Sequence, residues 1–154
     1  MTHGIVSLAG AASATYDADV CVVGSGCGGA TAARVLAEHG RSVVVLEEGP
    51  DRTGMELTQR DGEMYDQLYM ERGGRATNDL SITVLTARVL GGGGVINASD
   101  VVPIPPGVLR HWREQFGLSD LTEATLEPHV RAALEDLSAS QITEAQMNEA
   151  NRLV

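Results

Sequence analysis

The sequence predicts an α/β fold: a strand–helix–strand unit with a partial parallel sheet, followed by helices. Three observations lead there. Residues 17–47 read as an apolar run, a glycine turn, an alanine-rich helical stretch and a second apolar run ending in an acid. A second glycine-rich stretch, Gly91-Gly92-Gly93-Gly94, stands downstream between strand-like flanks. Beyond Pro106, apolar residues recur at helical spacing.

The first unit carries the most information. Residues 18–23 form a short apolar run suited to a parallel strand buried on both faces. Gly24, Gly26 and Gly29 follow at the spacing G-x-G-x-x-G. Gly24 permits the sharp turn out of the strand, Gly26 lets a diphosphate approach the backbone, and Gly29 lets the helix pack close to the sheet. Ala33 and Leu36 lie on the helix side suited to the sheet, and Gly40 stands where a helix-ending glycine is expected. Residues 42–46 are then the second buried strand, with Glu47 placed to accept from a ribose 2′-hydroxyl and to repel a 2′-phosphate. These features define a Rossmann-like dinucleotide-binding unit, with the diphosphate on the helix N-terminus. The motif alone does not separate FAD from NAD.

Bulk properties narrow the partners. A chain of 154 residues suits one domain with a modest core, and with aromatics at 3% that core must be Val, Leu, Ala and Ile. The net charge of −10 argues against nucleic acid and anionic membranes. No stretch approaches the ~20 apolar residues of a membrane span. Residues 1–15 read as a loose tail that lacks the basic start of a signal peptide, and the expected location is cytoplasmic. Residues 16–154 then read as one incomplete dinucleotide-binding domain. Cys21, in the buried strand, and Cys27, in the glycine loop, are expected as small reduced side chains, because C-x-x-C spacing is absent. No cluster has metal-ligand spacing.

After Gly49-Pro50 the chain turns polar. Residues 63–71 predict a short helix packed through Met64, Leu68 and Tyr69 with Tyr65, and residues 72–79 break it as a loop. Residues 81–90 predict a strand or hairpin. The four glycines at 91–94 are too costly in entropy to serve packing, and suit a backbone that must approach something flat or charged. Residues 108–116 predict a helix with Leu109, Trp112 and Phe116 on one face and Gly117 as its stop. Residues 125–139 predict another, with Pro128 in its first turn and Leu126, Val130, Leu134 and Leu137 on its apolar face. Thr143 is expected to cap a last helix running from Glu144 to near Val154.

The first unit, then Arg88-x-Leu-Gly-Gly-Gly-Gly-x-Ile-Asn97, then Trp112 in a helix resemble the N-terminal part of a glucose–methanol–choline (GMC) oxidoreductase. The run Pro-Pro-Gly-Val-Leu-Arg-His-Trp with Phe116-Gly-Leu looks most similar to bacterial members that oxidise long-chain alcohols or sterol-like substrates. The resemblance implies a Rossmann-like FAD-binding unit and hydride transfer from an alcohol CH–OH to flavin N5. It implies that Gly24, Ser25, Gly26 and Gly29 contact the FAD diphosphate, and that Glu47 holds the adenosine ribose. Gly92, Gly93, Gly94 and Asn97 would lie along the isoalloxazine and ribityl chain.

Two departures bear on the cofactor. Gly93 and Gly94 replace the small hydroxyl residues of the family's Gly-Gly-Ser-Ser-x-x-Asn region. Ile96 stands where some members tether flavin through a histidine, so FAD is expected to be noncovalent. Family members are several times longer, and their catalytic histidine with its histidine or asparagine partner lies far downstream. None of His3, His39, His111 and His129 stands in that setting, so no catalytic residue is assigned and the isolated chain is expected to be inactive. The chain then reads as the FAD-binding piece of an alcohol-oxidising flavoenzyme, with a separate C-terminal catalytic chain as a partner if the enzyme is split. A non-catalytic dinucleotide-binding module and a truncated piece that cannot complete its sheet are the other readings.

Overall fold

The computed structural model describes residues 4–8, 13–54, 57–58 and 60–149, which form two compact units, one up to Ala98 and one from Ser99. In the first, β1 (Val20–Val23), α1 (Cys27–Glu38) and β2 (Val43–Leu46) make the expected βαβ crossover. The strands are parallel, with Val20 opposite Val43 and Val23 opposite Leu46.

Two serine–carboxylate clamps hold that register. Before β1, Asp19 accepts from the Ser42 amide and hydroxyl, both at 2.8 Å, while its own amide donates to Ser42 Oγ at 2.9 Å. The Ser42 bonds hold the Asp19 carboxyl below its usual range. Beyond the strands, Glu47 accepts from the Ser25 amide and hydroxyl. A one-residue slip would break both clamps and turn every side chain to the opposite face.

Helix α1 faces the sheet through Gly29, Ala33 and Leu36, its half-buried residues. It ends in a Schellman motif: the Gly40 amide donates to Ala37 O at 2.9 Å, and the Arg41 amide to Leu36 O at 3.0 Å. The expected burial of both strands on both faces is not found. Val23 is 83% exposed, Val45, Leu46 and the Cys21 thiol are exposed too, and the Cys21 expectation is corrected with the strands. The reason is coverage: among the described residues the sheet has two strands and one helix against it.

The core of the first unit lies downstream, in Met64, Leu68 and Val89, with Tyr69, Ala87 and Ile96 packed on it. Met64 and Leu68 come from α2 (Asp61–Leu68), which stops three residues earlier than expected. Tyr69 is extended, its ring stacked on Tyr65 at 4.3 Å, and Glu71 and Arg72 take positive φ in a 3-10 turn. Residues 81–90 form no regular strand. They pair as an irregular hairpin through isolated antiparallel bridges, Tyr69 with Ala87 and Ala76 with Thr83. Positive φ at Leu80 and the kink at Glu71–Arg72 interrupt any longer ladder.

The second unit holds α3 (Pro106–Phe116) and α4 (Glu123–Asp136). Pro106 starts α3 where its missing N–H costs nothing, and Gly117 closes it at φ 66°. Leu109 is buried and shares an apolar groove with Leu126, Val130 and Leu134, whereas Phe116 is exposed and packs edge-on to His111. Helix α4 begins two residues earlier than the spacing suggests, because Thr122 and Thr125 form a capping box. Pro128 therefore lies inside the helix rather than in its first turn, and Leu137 caps its end, exposed. Thr143 does cap, but it opens a single 3-10 turn, Glu144–Gln146, that stops at an extended Met147. The remainder of the expected last helix, residues 150–154, lies outside the described residues.

Candidate functional site: two glycine segments in contact

The loop between β1 and α1 turns at Gly24, φ 91°, and enters α1 at Gly26. Gly29 is the packing glycine: a Cβ there would collide with the Gly24 carbonyl and press on Val22 Cγ1 at 3.3 Å. Any side chain would lift the helix off the strand. The N-terminus of α1 has no side-chain cap and no acidic residue in its first turn, while Cβ positions at Gly26 and Gly28 point into open space. Uncapped amides at the positive end of a helix dipole, with room beside them, suit a diphosphate.

The second glycine segment folds directly onto this loop. Gly91 and Gly92 take φ of 96° and 56°, and residues 92–95 form a 3-10 turn closed by the Asn97 side chain, which donates to Gly94 O at 2.9 Å. A Cβ on Gly92 would lie 2.8 Å from Gly26 Cα, and one on Gly94 3.1 Å from Cys27 Sγ. Gly93 has nothing within 4 Å of its Cβ position. Residues more than sixty apart in sequence thus form one backbone-lined surface, and Gly24, Ser25, Gly26, Gly29, Gly92, Gly93, Gly94 and Asn97 all lie in or beside it.

Glu47 is tied into the same place. Its Oε2 accepts from the Ser25 amide at 2.9 Å and the Ser25 hydroxyl at 2.6 Å, and its Oε1 accepts from the Gly49 amide at 2.7 Å. Burial pushes this carboxyl up, but the bonds from Ser25 and Gly49 outweigh it and hold the group below its ordinary range. An ionised carboxylate offers about four acceptor sites; the three bonds named are joined by one from the Glu48 backbone amide. Both Ser25 donors are spent on Glu47, so the donors this loop presents are the uncapped α1 amides.

Sequence reasoning passed over two residues here. Gly49, read only as a strand stop, brings its Cα so near the Arg88–Val89 peptide that no Cβ would fit, and the Leu90 amide donates to Pro50 O at 3.1 Å. Gly91, read only as part of the glycine run, donates its amide to Ser25 Oγ at 2.9 Å. The Gly-Pro pair after an acidic strand end was the available signal for the first. Of the histidines, His39 bonds Val35 O through Nδ1 at 2.7 Å, His111 and His129 lie exposed in the second unit, and His3 lies outside the described residues. Among the described residues no group of three or more His, Cys, Asp or Glu could hold a metal, and no helix is long and apolar enough to cross a membrane.

Comparison with known proteins agrees with this geometry. Residues 22–93 match the NAD(P)-binding Rossmann-like domain, and residues 65–154 match the GMC oxidoreductase family. The long-chain-alcohol oxidase FAO4A of Arabidopsis thaliana is 38% identical over 100 residues, 65% of this chain and 14% of that protein. The long-chain-alcohol oxidase FAO3 of the same species is 44% identical over 96 residues, 62% of this chain and 13% of FAO3. An uncharacterised GMC-type oxidoreductase of Mycobacterium tuberculosis, Rv0492c, is 42% identical over 105 residues, 66% of this chain and 16% of that protein. This chain therefore aligns with about a sixth or less of each of these relatives. With two contacting glycine segments on a βαβ unit and more than half its length matched, the chain belongs to the GMC oxidoreductase family.

Proposed function

We propose that this chain supplies the FAD-binding part of an oxidoreductase acting on CH–OH groups of alcohols. The observation that carries the reading is the docking of the second glycine segment onto the first. A single βαβ loop accommodates any dinucleotide; a second backbone-lined segment beside it suits a ligand longer than one loop can cover. GMC oxidoreductases are flavoproteins, which makes FAD the dinucleotide of choice.

In this reading Gly24, Gly26 and Gly29 shape the loop and the first amides of α1 hold the diphosphate. Glu47 is the carboxylate that meets the adenosine ribose, and Gly92, Gly93, Gly94 and Asn97 lie along the isoalloxazine end. When bound, FAD would supply the acceptor for the hydride of the alcohol carbon. The chain's own work is to bind, orient and cover: it presents backbone rather than side chains, which allows close approach without side-chain competition for the flavin edge. Ile96 packs into the core and offers no nucleophile, which supports noncovalent attachment. The base for the alcohol proton would come from the rest of the relatives' length, in the same polypeptide or a separate chain.

Equilibrium titration with FAD, NAD+ and NADP+ tests the reading. FAD is expected to bind most tightly, and NADP+ most weakly because Glu47 faces its 2′-phosphate. Tighter binding of NAD+ than FAD would instead favour a nicotinamide-binding module and overturn the flavin assignment.

A further inference from the structure

We propose that Ser25 is a positioning residue, whose hydroxyl, oriented by Glu47, fastens the second glycine-rich segment to the first. Ser25 is the buried polar residue of the described structure, 7% exposed. Three separate pieces of chain meet at it: its own loop, the end of β2 through Glu47, and the second glycine segment through Gly91.

The chemistry fixes the direction of each bond. An ionised Glu47 only accepts, so the Ser25 O–H must point to Oε2, at 2.6 Å. That leaves the Oγ lone pairs for the Gly91 N–H, at 2.9 Å. With the oxygen buried, little water competes for either bond, and removing it would leave the Gly91 donor without an acceptor. The Ser25 amide bonds Glu47 independently, so the first loop keeps an anchor when the hydroxyl is lost. The hydroxyl's specific task is thus the tie to Gly91. Neighbouring contacts run in the same direction, from the Leu90 amide to Pro50 O and from Gly92 against Gly26, but neither satisfies the Gly91 amide.

Amide hydrogen exchange of the full chain without ligand, resolved by residue, tests this directly. In Ser25→Ala the Gly91 amide is expected to exchange about tenfold faster, while the amides of α1 and the β1–β2 ladder keep their protection. Ser25→Thr, which retains the hydroxyl, is expected to restore Gly91 protection. Unchanged exchange at Gly91 in Ser25→Ala would overturn the proposal. So would an equal rise across α1 and the strands, which would make Ser25 a general stability residue.

A second arm rests on the FAD reading. Ser25→Ala should weaken FAD about tenfold but ADP, whose ribose carboxylate Glu47 keeps its bond from the Ser25 amide, by much less. Equal losses for the two ligands would overturn the positioning role. A parent chain that binds neither ligand would sink the FAD reading, and the exchange arm would still decide this one.

Discussion

Replacing Gly92 by alanine should separate the two glycine segments. Its φ of 56° lies in the left-handed region, which costs an L-residue about 1–2 kcal/mol. The added methyl would lie 2.8 Å from Gly26 Cα and 3.3 Å from Gly26 N, both backbone atoms that cannot rotate away. Overpacking of this kind costs about 1–3 kcal/mol, so the combined loss should be about 2–5 kcal/mol, or less if the segment lifts off instead. Urea unfolding of Gly92→Ala beside Gly93→Ala reads the effect. The neighbour is a close control, since Gly93 has no positive φ and nothing within 4 Å of its Cβ position. Gly93→Ala should be neutral or stabilising by about 0.4–1 kcal/mol. It should nonetheless weaken FAD if that open face is where the ligand lies. Equal destabilisation by the two substitutions would refute the docked geometry.

Other outcomes depend on single contacts. Glu47 titrates below its ordinary 4.5, so its contribution is complete above that pH and lost as pH falls through the lowered value. In acid titrations followed by circular dichroism, Glu47→Gln should flatten the part of the stability loss that lies below pH 4.5, and an unaltered profile would contradict the Ser25–Glu47 clamp. Pro128→Ala removes a residue that denies α4 a hydrogen bond, and should stabilise that helix by about 1–3 kcal/mol, read as a higher Tm. Thr122→Ala removes the capping box and should cost α4 about 1 kcal/mol, read as a lower Tm.

The parts legible in the sequence are those that local chemistry dictates. The turn at Gly24, the close approach at Gly29 and the helix end at Gly40 each answer a backbone demand that only a few residues meet. Gly117 after α3 does the same. The features that escaped reading depend on distant partners. An apolar run such as Val43–Leu46 is strand-like by itself, yet its burial depends on what covers it, and one helix does not suffice. Residues 81–90 have β-forming composition, but positive φ at Leu80 and the kink near Glu71 deny them a continuous ladder. Pro128 suggested a first turn by residue type, whereas the Thr122–Thr125 box set the start. At the site, the family resemblance pointed Ser25 at a ligand. The Glu47 carboxylate and Gly91 amide, each far away in sequence, turn its hydroxyl inward instead.

The most direct test is the visible absorption spectrum of the purified chain after incubation with FAD and gel filtration. The expected result is a flavin band that co-elutes with the folded protein and is released on denaturation, as a noncovalent cofactor held by the two glycine segments requires. A folded chain that emerges colourless after saturation with FAD would contradict the assignment.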